Sequence, residues 1–252
     1  MSDWNSNLYL KFEVQRTLPA KDLAAKILIK NTEKIIDIGC GPGNSTAVLQ
    51  SVFPNAKITG IDSSPDMIKR ARQNHPELLF EMCTARDIKS GYDVIFSNAC
   101  LQWVDNHKEL LPQLMNKLNI GGILAVQMPI NADEPLYRLI DETVHSKRYG
   151  FAPSLHEQNT TLPPERYFEI LSGCGKDFDI WETVYYHRMP SHSALLDWVK
   201  STRLRPYLEA LENTDKQHFE NELLSGVRKL YKPQKNGEII FRFRRLFFTA
   251  SK

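Results

Sequence analysis

Cysteine is scarce in this chain and badly placed for any cross-linking role. Cys40, Cys83, Cys100 and Cys174 lie far apart with no C-x-x-C pair, which excludes a disulfide frame or a zinc ribbon and fits buried thiols in a reducing compartment. No long apolar run is present. The least charged stretch, 120–132, falls short of the ~18–20 residues that span a bilayer, and the opening Met1-Ser-Asp-Trp-Asn-Ser-Asn7 has neither a basic region nor an apolar one. A cytoplasmic protein without a membrane partner is expected. An excess of one charge is missing too. Thirty-two Lys+Arg face 30 Asp+Glu in 252 residues, so no broad basic tract invites nucleic acid, and any preference for anions must be local. Low complexity, repeats and Gly/Ser linkers are also absent. With 42% hydrophobic and 25% charged residues, the composition is that of a folded globular domain rather than a disordered chain.

What is there alternates. Lys34–Ile38 is a short β-branched apolar run that ends at glycines, and 44–53 then carries Ala47, Val48 and Val52 at helical spacing. A second strand, 57–61, ends at Asp62. Ser64 is a natural N-cap with Pro65 at the first helical position, and Met67, Ile68 and Ala71 form the stripe of the following helix. Three further apolar runs, 78–80, 92–96 and 122–126, are separated by a short link and a helical segment over 105–118. Strands alternating with helices predict an α/β fold with a mostly parallel sheet covered on both faces. Beyond 130, helices are expected at 134–147 and 164–171 around a loop insertion at 149–163, then a strand at 178–189. A helical, polar insertion at 190–237 and a last strand at 238–250, rich in Phe and Ile, complete the chain. The 190–237 segment is a candidate lid between the last two strands, and 1–30 is expected to supply N-terminal cap helices of a single domain spanning 1–252.

The strongest local signal is Asp37-Ile-Gly39-Cys-Gly41-Pro-Gly43 directly after the first strand. Glycines there permit positive φ and let backbone approach a ligand closely. The dinucleotide pattern G-x-G-x-x-G fails in both registers, and no Walker lysine follows. D-x-G-x-G-x-G with an acidic residue ending the second strand instead resembles the S-adenosylmethionine-dependent methyltransferases of the Rossmann-like class. Asp62, at a strand's carboxyl edge, is placed to accept hydrogen bonds from both ribose hydroxyls of an adenosine cofactor. The resemblance implies a seven-stranded sheet, S-adenosylmethionine as cofactor, S-adenosylhomocysteine as product, and no metal. It also implies that Asp37 faces the cofactor's cationic end and that Gly39 and Gly41 shape the bend beneath its methionine portion. Ser63 and Ala85 are carried over beside the adenosine. The adenine contact has two registers, one using Thr84 and the other Asp87. Met67 is either an adenine neighbour or plain core.

Asn98, Gln102 and Trp103 in Ser97-Asn-Ala-Cys-Leu-Gln-Trp103 follow the fourth strand, on the face where methyl donor and acceptor meet. Within the class the chain is similar nearly end to end to the trans-aconitate 2-methyltransferases. The residues carrying this are Trp4-Asn5, Leu8-Tyr9-Leu10, 37–47, 58–65, Leu101-Gln-Trp103, Ala125-Val-Gln-Met-Pro129, Tyr185-Tyr-His187, Met189-Pro-Ser-His192, Leu204-Arg-Pro206 and Arg245-Leu-Phe247. That family esterifies one carboxylate of a small tricarboxylate. The substrate residues expected here are Tyr9, Gln102, Trp103, Tyr185, His192, Arg205 and Arg245, while Arg203 and Arg244 lie outside matching stretches. Along the last strand, the period of two puts Arg245 on one face with Phe241, Phe243 and Phe247, and Arg242 and Arg244 on the other. An arginine among apolar neighbours needs an anionic partner, either substrate or a structural carboxylate. The acceptor carboxylate is already ionised at neutral pH, so no general base is expected. Leu18 and Ile130 depart from the family pattern. Two other readings stand beside this one: the same fold acting on another acid, an amine or a hydroxyl, with Tyr185, Tyr186 or His192 as base, and a silent cofactor-binding module.

Overall fold

A parallel sheet forms from five segments, of which the inner ones are rich in Ile, Val and Phe and largely buried on both faces. The five are β1 (Lys34–Ile38), β2 (Lys57–Asp62), β3 (Leu79–Met82), β4 (Tyr92–Asn98) and β5 (Leu118–Pro129). Two longer strands follow, β6 (Asp177–Met189) and β7 (Ile239–Ser251), and the sheet order is β3-β2-β1-β4-β5-β7-β6. The computed structural model describes residues 12–29, 31–155, 159–200 and 202–252. Helices α1 (Glu13–Ala24), α2 (Asn44–Val52), α3 (Pro65–Asn74), α4 (His107–Lys117), α5 (Pro135–His145) and α6 (Pro164–Cys174) precede β6. Helices α7 (His192–Lys200), α8 (Arg205–Ala210) and α9 (Asn213–Leu230) lie between β6 and β7. The expected seven-stranded α/β sheet is therefore present, with helices between its last two strands.

The chain divides into two compact units. The core unit comprises Arg16–Pro129, Asn159–Thr183 and Arg245–Lys252. In it β1 pairs with β2 on one side and β4 on the other, both parallel. The chain runs outward through β2 to β3 and returns to β4, so β1 and β4 flank the point where strand order reverses, where open α/β sheets bind ligands beyond the strands' carboxyl ends. β7 enters antiparallel to β5, with Phe247 opposite Gln127 and Arg245 opposite Pro129. Ser64 caps α3 as the sequence predicts, its hydroxyl accepting from the Met67 N–H, with Pro65 at the first helical position. Ile68 and Ala71 form the buried stripe there, while Met67 is only half-buried. The face of α2 differs from the expectation. Val52 is 44% exposed and Ala47 half-buried, whereas Ser45, Thr46, Val48 and Leu49 are buried. Two hydroxyls with a carboxylate to bond turn the helix away from the face its apolar spacing favours.

The second unit takes in 12–15, Ile130–Gln158 and Val184–Arg244. Its helices are less polar than their sequence suggests, because each buries a narrow stripe. Phe219, Leu223 and Val227 recur every fourth residue of α9, and Leu136, Ile140 and Val144 do the same on α5. These pack with Leu195, Trp198 and Val199 of α7 and with Phe241 and Phe243 of β7 in one aromatic-rich core. Trp198 meets Phe243 edge-on at 5.5 Å and His187 at 4.8 Å.

Candidate active site

The turn after β1 and the ends of β2, β4 and β5 converge at one edge of the core unit. Ile61, Ile38, Ser97, Val126 and Phe248 are register partners across five strands. One residue nearer the carboxyl edge stand Asp62, Gly39, Asn98, Gln127 and, antiparallel, Phe247. The sheet thus brings three of the expected cofactor residues, Asp62, Gly39 and Asn98, into a single row, together with Gln127, which no motif in the sequence marks.

Gly39 and Gly41 have φ of 71° and 54°, the left-handed region that disfavours side chains. Their surroundings differ. A Cβ on Gly39 would stand 2.2 Å from the Cβ of Cys100, so glycine lets the first turn touch the segment that follows β4. A Cβ on Gly41 would meet nothing within 4 Å, and the backbone there borders open space. The Gly41 N–H donates to Asp62 Oδ2 at 3.1 Å, and the Ser64 N–H to Asp62 Oδ1 at 2.8 Å. Each oxygen of an ionised carboxylate has two lone-pair sites, so both retain capacity for one more donor. Asp62 is thereby fixed in direction yet free to take two hydroxyls.

Asp37 is fully buried. Its Oδ2 accepts from the Ser45 and Thr46 hydroxyls at 2.6 and 2.7 Å, while Oδ1 has no hydrogen-bond partner among the described residues. Burial pushes this carboxyl up from its ordinary 3.8 to about 6, the two hydroxyls opposing the rise and the Asp62 charge adding to it. A buried carboxylate with one unsatisfied oxygen fits a cationic group nearby, which is the environment a sulfonium cofactor needs. The neighbouring thiols are not nucleophiles: burial pushes Cys100 up to about 12 and Cys40 higher still.

Thr84 and Asp87, the two alternatives for the adenine contact, share one turn, in which the Thr84 hydroxyl donates to Asp87 Oδ2 at 2.5 Å. Ala85 between them is buried, and Ser63 is exposed beside Asp62. Ala99 adopts φ 55°, uncommon for a residue with a Cβ, directly after Asn98. Its N–H donates to the Gln127 carbonyl, and its own carbonyl accepts from Gln102 Nε2 at 2.8 Å. This bend launches the turn Leu101–Trp103, in which Gln102 is buried and Trp103 is 53% exposed. Behind it His107 accepts from the Tyr167 hydroxyl at Nδ1 and donates to the Leu101 carbonyl from Nε2, at 2.7 and 2.8 Å. The Thr160 hydroxyl reaches the Gln102 and Val104 carbonyls and ties the start of the 159–183 segment to the same turn.

Arg245 is 4% exposed and shares its face with Phe241, Phe243 and Phe247, as the period of two predicts. Its Nη1 donates to Gln127 Oε1 at 3.0 Å. A neutral side-chain amide thus stands beside this guanidinium. Tyr185, His192 and Arg205 belong to the second unit. Tyr185 stacks on His187 with rings 6.1 Å apart, His192 bonds the Tyr231 carbonyl at 2.8 Å, and Arg205 pairs with Glu209 one helical turn on. Tyr9 lies outside the described residues. Among the described residues no group of three or more His, Cys, Asp or Glu could hold a metal, and no helix is long and apolar enough to cross a membrane.

Residues 29–198 match the family model of a methyltransferase domain. Among solved structures, the YcgJ protein of Bacillus subtilis superposes with a TM-score of 0.61 at 14% identity, covering 93% of this chain and 98% of its own. Geranyl diphosphate methyltransferase gives 0.56 at 13% identity over 98% of this chain and 89% of its own. Likeness at that identity speaks for the fold alone. Curated sequences speak more narrowly. Trans-aconitate 2-methyltransferases from Escherichia coli O7:K1 (strain IAI39) and from strain K12 / DH10B are each 44% identical over 254 residues, covering 100% of this chain and 99% of theirs. A glycine turn and acidic strand end in methyltransferase geometry, joined to identity of that extent over the full length, make this chain a member of the trans-aconitate 2-methyltransferase family.

Proposed function

We propose that the protein transfers the methyl group of S-adenosylmethionine to a carboxylate of trans-aconitate, leaving the monomethyl ester and S-adenosylhomocysteine. The observation that carries the acceptor class is Arg245, a guanidinium buried at the carboxyl edge of β5, two residues along the strand from the row that holds Asp62, Gly39 and Asn98. A planar fork of donors in a low-dielectric site selects a carboxylate. Asp62 would hold the ribose hydroxyls, with Ser63, Thr84 and Ala85 along the adenosine. Gly39 and Gly41 would leave room for the methionine portion, and Asp37 would balance the sulfonium. Bound there, the cofactor supplies an electrophilic methyl.

The acceptor carboxylate is ionised near neutral pH, with a pKa of about 4, so the site needs no proton acceptor. The protein's work is to orient and to exclude water. Arg245 anchors a carboxylate that does not react. Asn98, Gln102 and Trp103, on the strained bend after β4, border the reacting oxygen. Fixing two reactants and removing water from an anionic nucleophile supply most of the acceleration in such a reaction.

The test is transfer from labelled S-adenosylmethionine to trans-aconitate, cis-aconitate, citrate, isocitrate, and phenolic and amine acceptors, using the wild type, Asp62→Ala and Arg245→Ala. Esterification of trans-aconitate is expected, with Asp62→Ala raising KM for the cofactor and Arg245→Ala raising KM for the acid. Methylation confined to amines or phenols, or cofactor binding without turnover on any acid, refutes the reading.

A further inference from the structure

Gln127 is the polar residue of the site with the least reason to exist if the site were only a cofactor cradle. It sits in the middle of an apolar run, Leu124–Val126 before it and Met128 after, and is itself fully buried. Leucine would fill such a position without any polar atom to satisfy. The side chain is instead an amide whose Oε1 accepts from Arg245 Nη1 at 3.0 Å, while its Nε2 has no hydrogen-bond partner among the described residues. A buried donor left without a partner destabilises the fold, and native proteins keep few of them. Asn98, its register partner on β4, likewise keeps a buried Oδ1 with no partner among the described residues.

The register explains what the amide reaches. Gln127 faces Phe247 across β5 and β7, and Arg245 lies two residues from Phe247 on the same face, so the amide and the guanidinium are diagonal neighbours. The chemistry explains why an amide stands there. Glutamate has nearly the same shape and would hold the guanidinium more strongly, but it would place a negative charge against the group that has to receive an anion. Glutamine fixes the direction of Nη1 and adds no charge.

We propose that Gln127 is a positioning and specificity-determining residue: it holds Arg245 through a neutral hydrogen bond so that the guanidinium receives a carboxylate of the acceptor. The inference rests on the acceptor assignment above. Gln127→Glu is expected to leave thermal stability equal or higher and KM for S-adenosylmethionine within twofold, yet to raise KM for trans-aconitate at least tenfold. Gln127→Met, which keeps the volume and removes the hydrogen bond, is expected to raise the same KM by a smaller factor, and it keeps the proposal testable if the glutamate variant does not fold.

The opposed directions of stability and acid KM in Gln127→Glu separate positioning from a structural role, which would move both together. A wild type that esterifies trans-aconitate while both variants keep its KM for the acid overturns the role of Gln127 and leaves the acceptor assignment intact. A wild type that esterifies no carboxylic acid overturns both.

Discussion

Replacing Asp37 by asparagine is expected to make the ligand-free protein more stable in alkaline solution and worse at holding its cofactor. The carboxyl is fully buried, and burial raises it from an ordinary 3.8 to about 6. A difference of that size corresponds to about 3 kcal/mol between the two protonation states. The sign follows from proton linkage. Between 3.8 and about 6 the native chain holds a proton that the unfolded chain has released, so this group's contribution to stability falls as pH rises through that window and stays low above it. Asparagine does not titrate. Its Oδ1 can take the Ser45 and Thr46 hydroxyls in place of the carboxylate oxygen, and its Nδ2 replaces the oxygen that lacks a partner. Urea denaturation of wild type and variant should therefore give nearly equal stabilities at about pH 4, and a gap approaching ~3 kcal/mol in the variant's favour at about pH 8. Taking the difference between the two proteins removes the opposing titrations of Asp93 and Glu238, whose carboxyls are held low by hydrogen bonds. Calorimetry should show the variant binding S-adenosylmethionine about tenfold more weakly, a loss of ~1.4 kcal/mol. Parallel stability curves across this pH range would refute the account of Asp37 as an anion held against its own burial.

Gly39→Ala and Gly41→Ala should separate packing from binding. The first drives a Cβ into Cys100 at φ 71° and should lower stability by at least ~2 kcal/mol in urea, since the clash adds to the left-handed strain. The second incurs only the strain, about 1–2 kcal/mol, but places a methyl in the open space before the turn, so its larger effect should be on cofactor affinity. His107 should make stability fall in weak acid. Burial holds its pKa below the ordinary 6.5, so as pH drops past that value the unfolded chain takes up a proton that the native chain refuses. His107→Gln should flatten the corresponding slope between about pH 7 and about pH 5. Finally, kcat for trans-aconitate should show no enzyme pKa near neutrality, and a bell-shaped profile there would point to an acid–base acceptor chemistry instead.

Most strands could be read from the sequence because a doubly covered strand leaves a plain mark, a β-branched run closed by glycine or an acidic residue. Lys34–Ile38 and the Ser64-Pro65 start of α3 follow from local chemistry alone. So does the face of Arg245, fixed by the period of two. What stayed hidden depends on partners distant in sequence. The rotation of α2 is set by hydroxyl bonds to Asp37, which helical spacing of Ala47, Val48 and Val52 does not report. Nothing local marks Ala99 as left-handed, since the need arises from Gln127 and Gln102 bonding to either side of it. Gln127 itself looks like an interruption in an apolar run until β7 is placed beside β5. The two units were not legible either, because each is assembled from separate segments and no linker composition marks the changes.

The antiparallel entry of β7 beside β5 has a consequence for the order in which this molecule acquires its abilities. The glycine turn, Asp37, Asp62 and Asn98 come from segments synthesised early, and β1 to β4 pair over modest sequence separations. Arg245 comes from the strand made after all the others in the sheet, and it reaches Gln127 only once that strand has docked on β5. Contacts between residues so far apart in sequence form late and slowly. During biogenesis, competence to retain the methyl donor should therefore precede competence to recognise the acid.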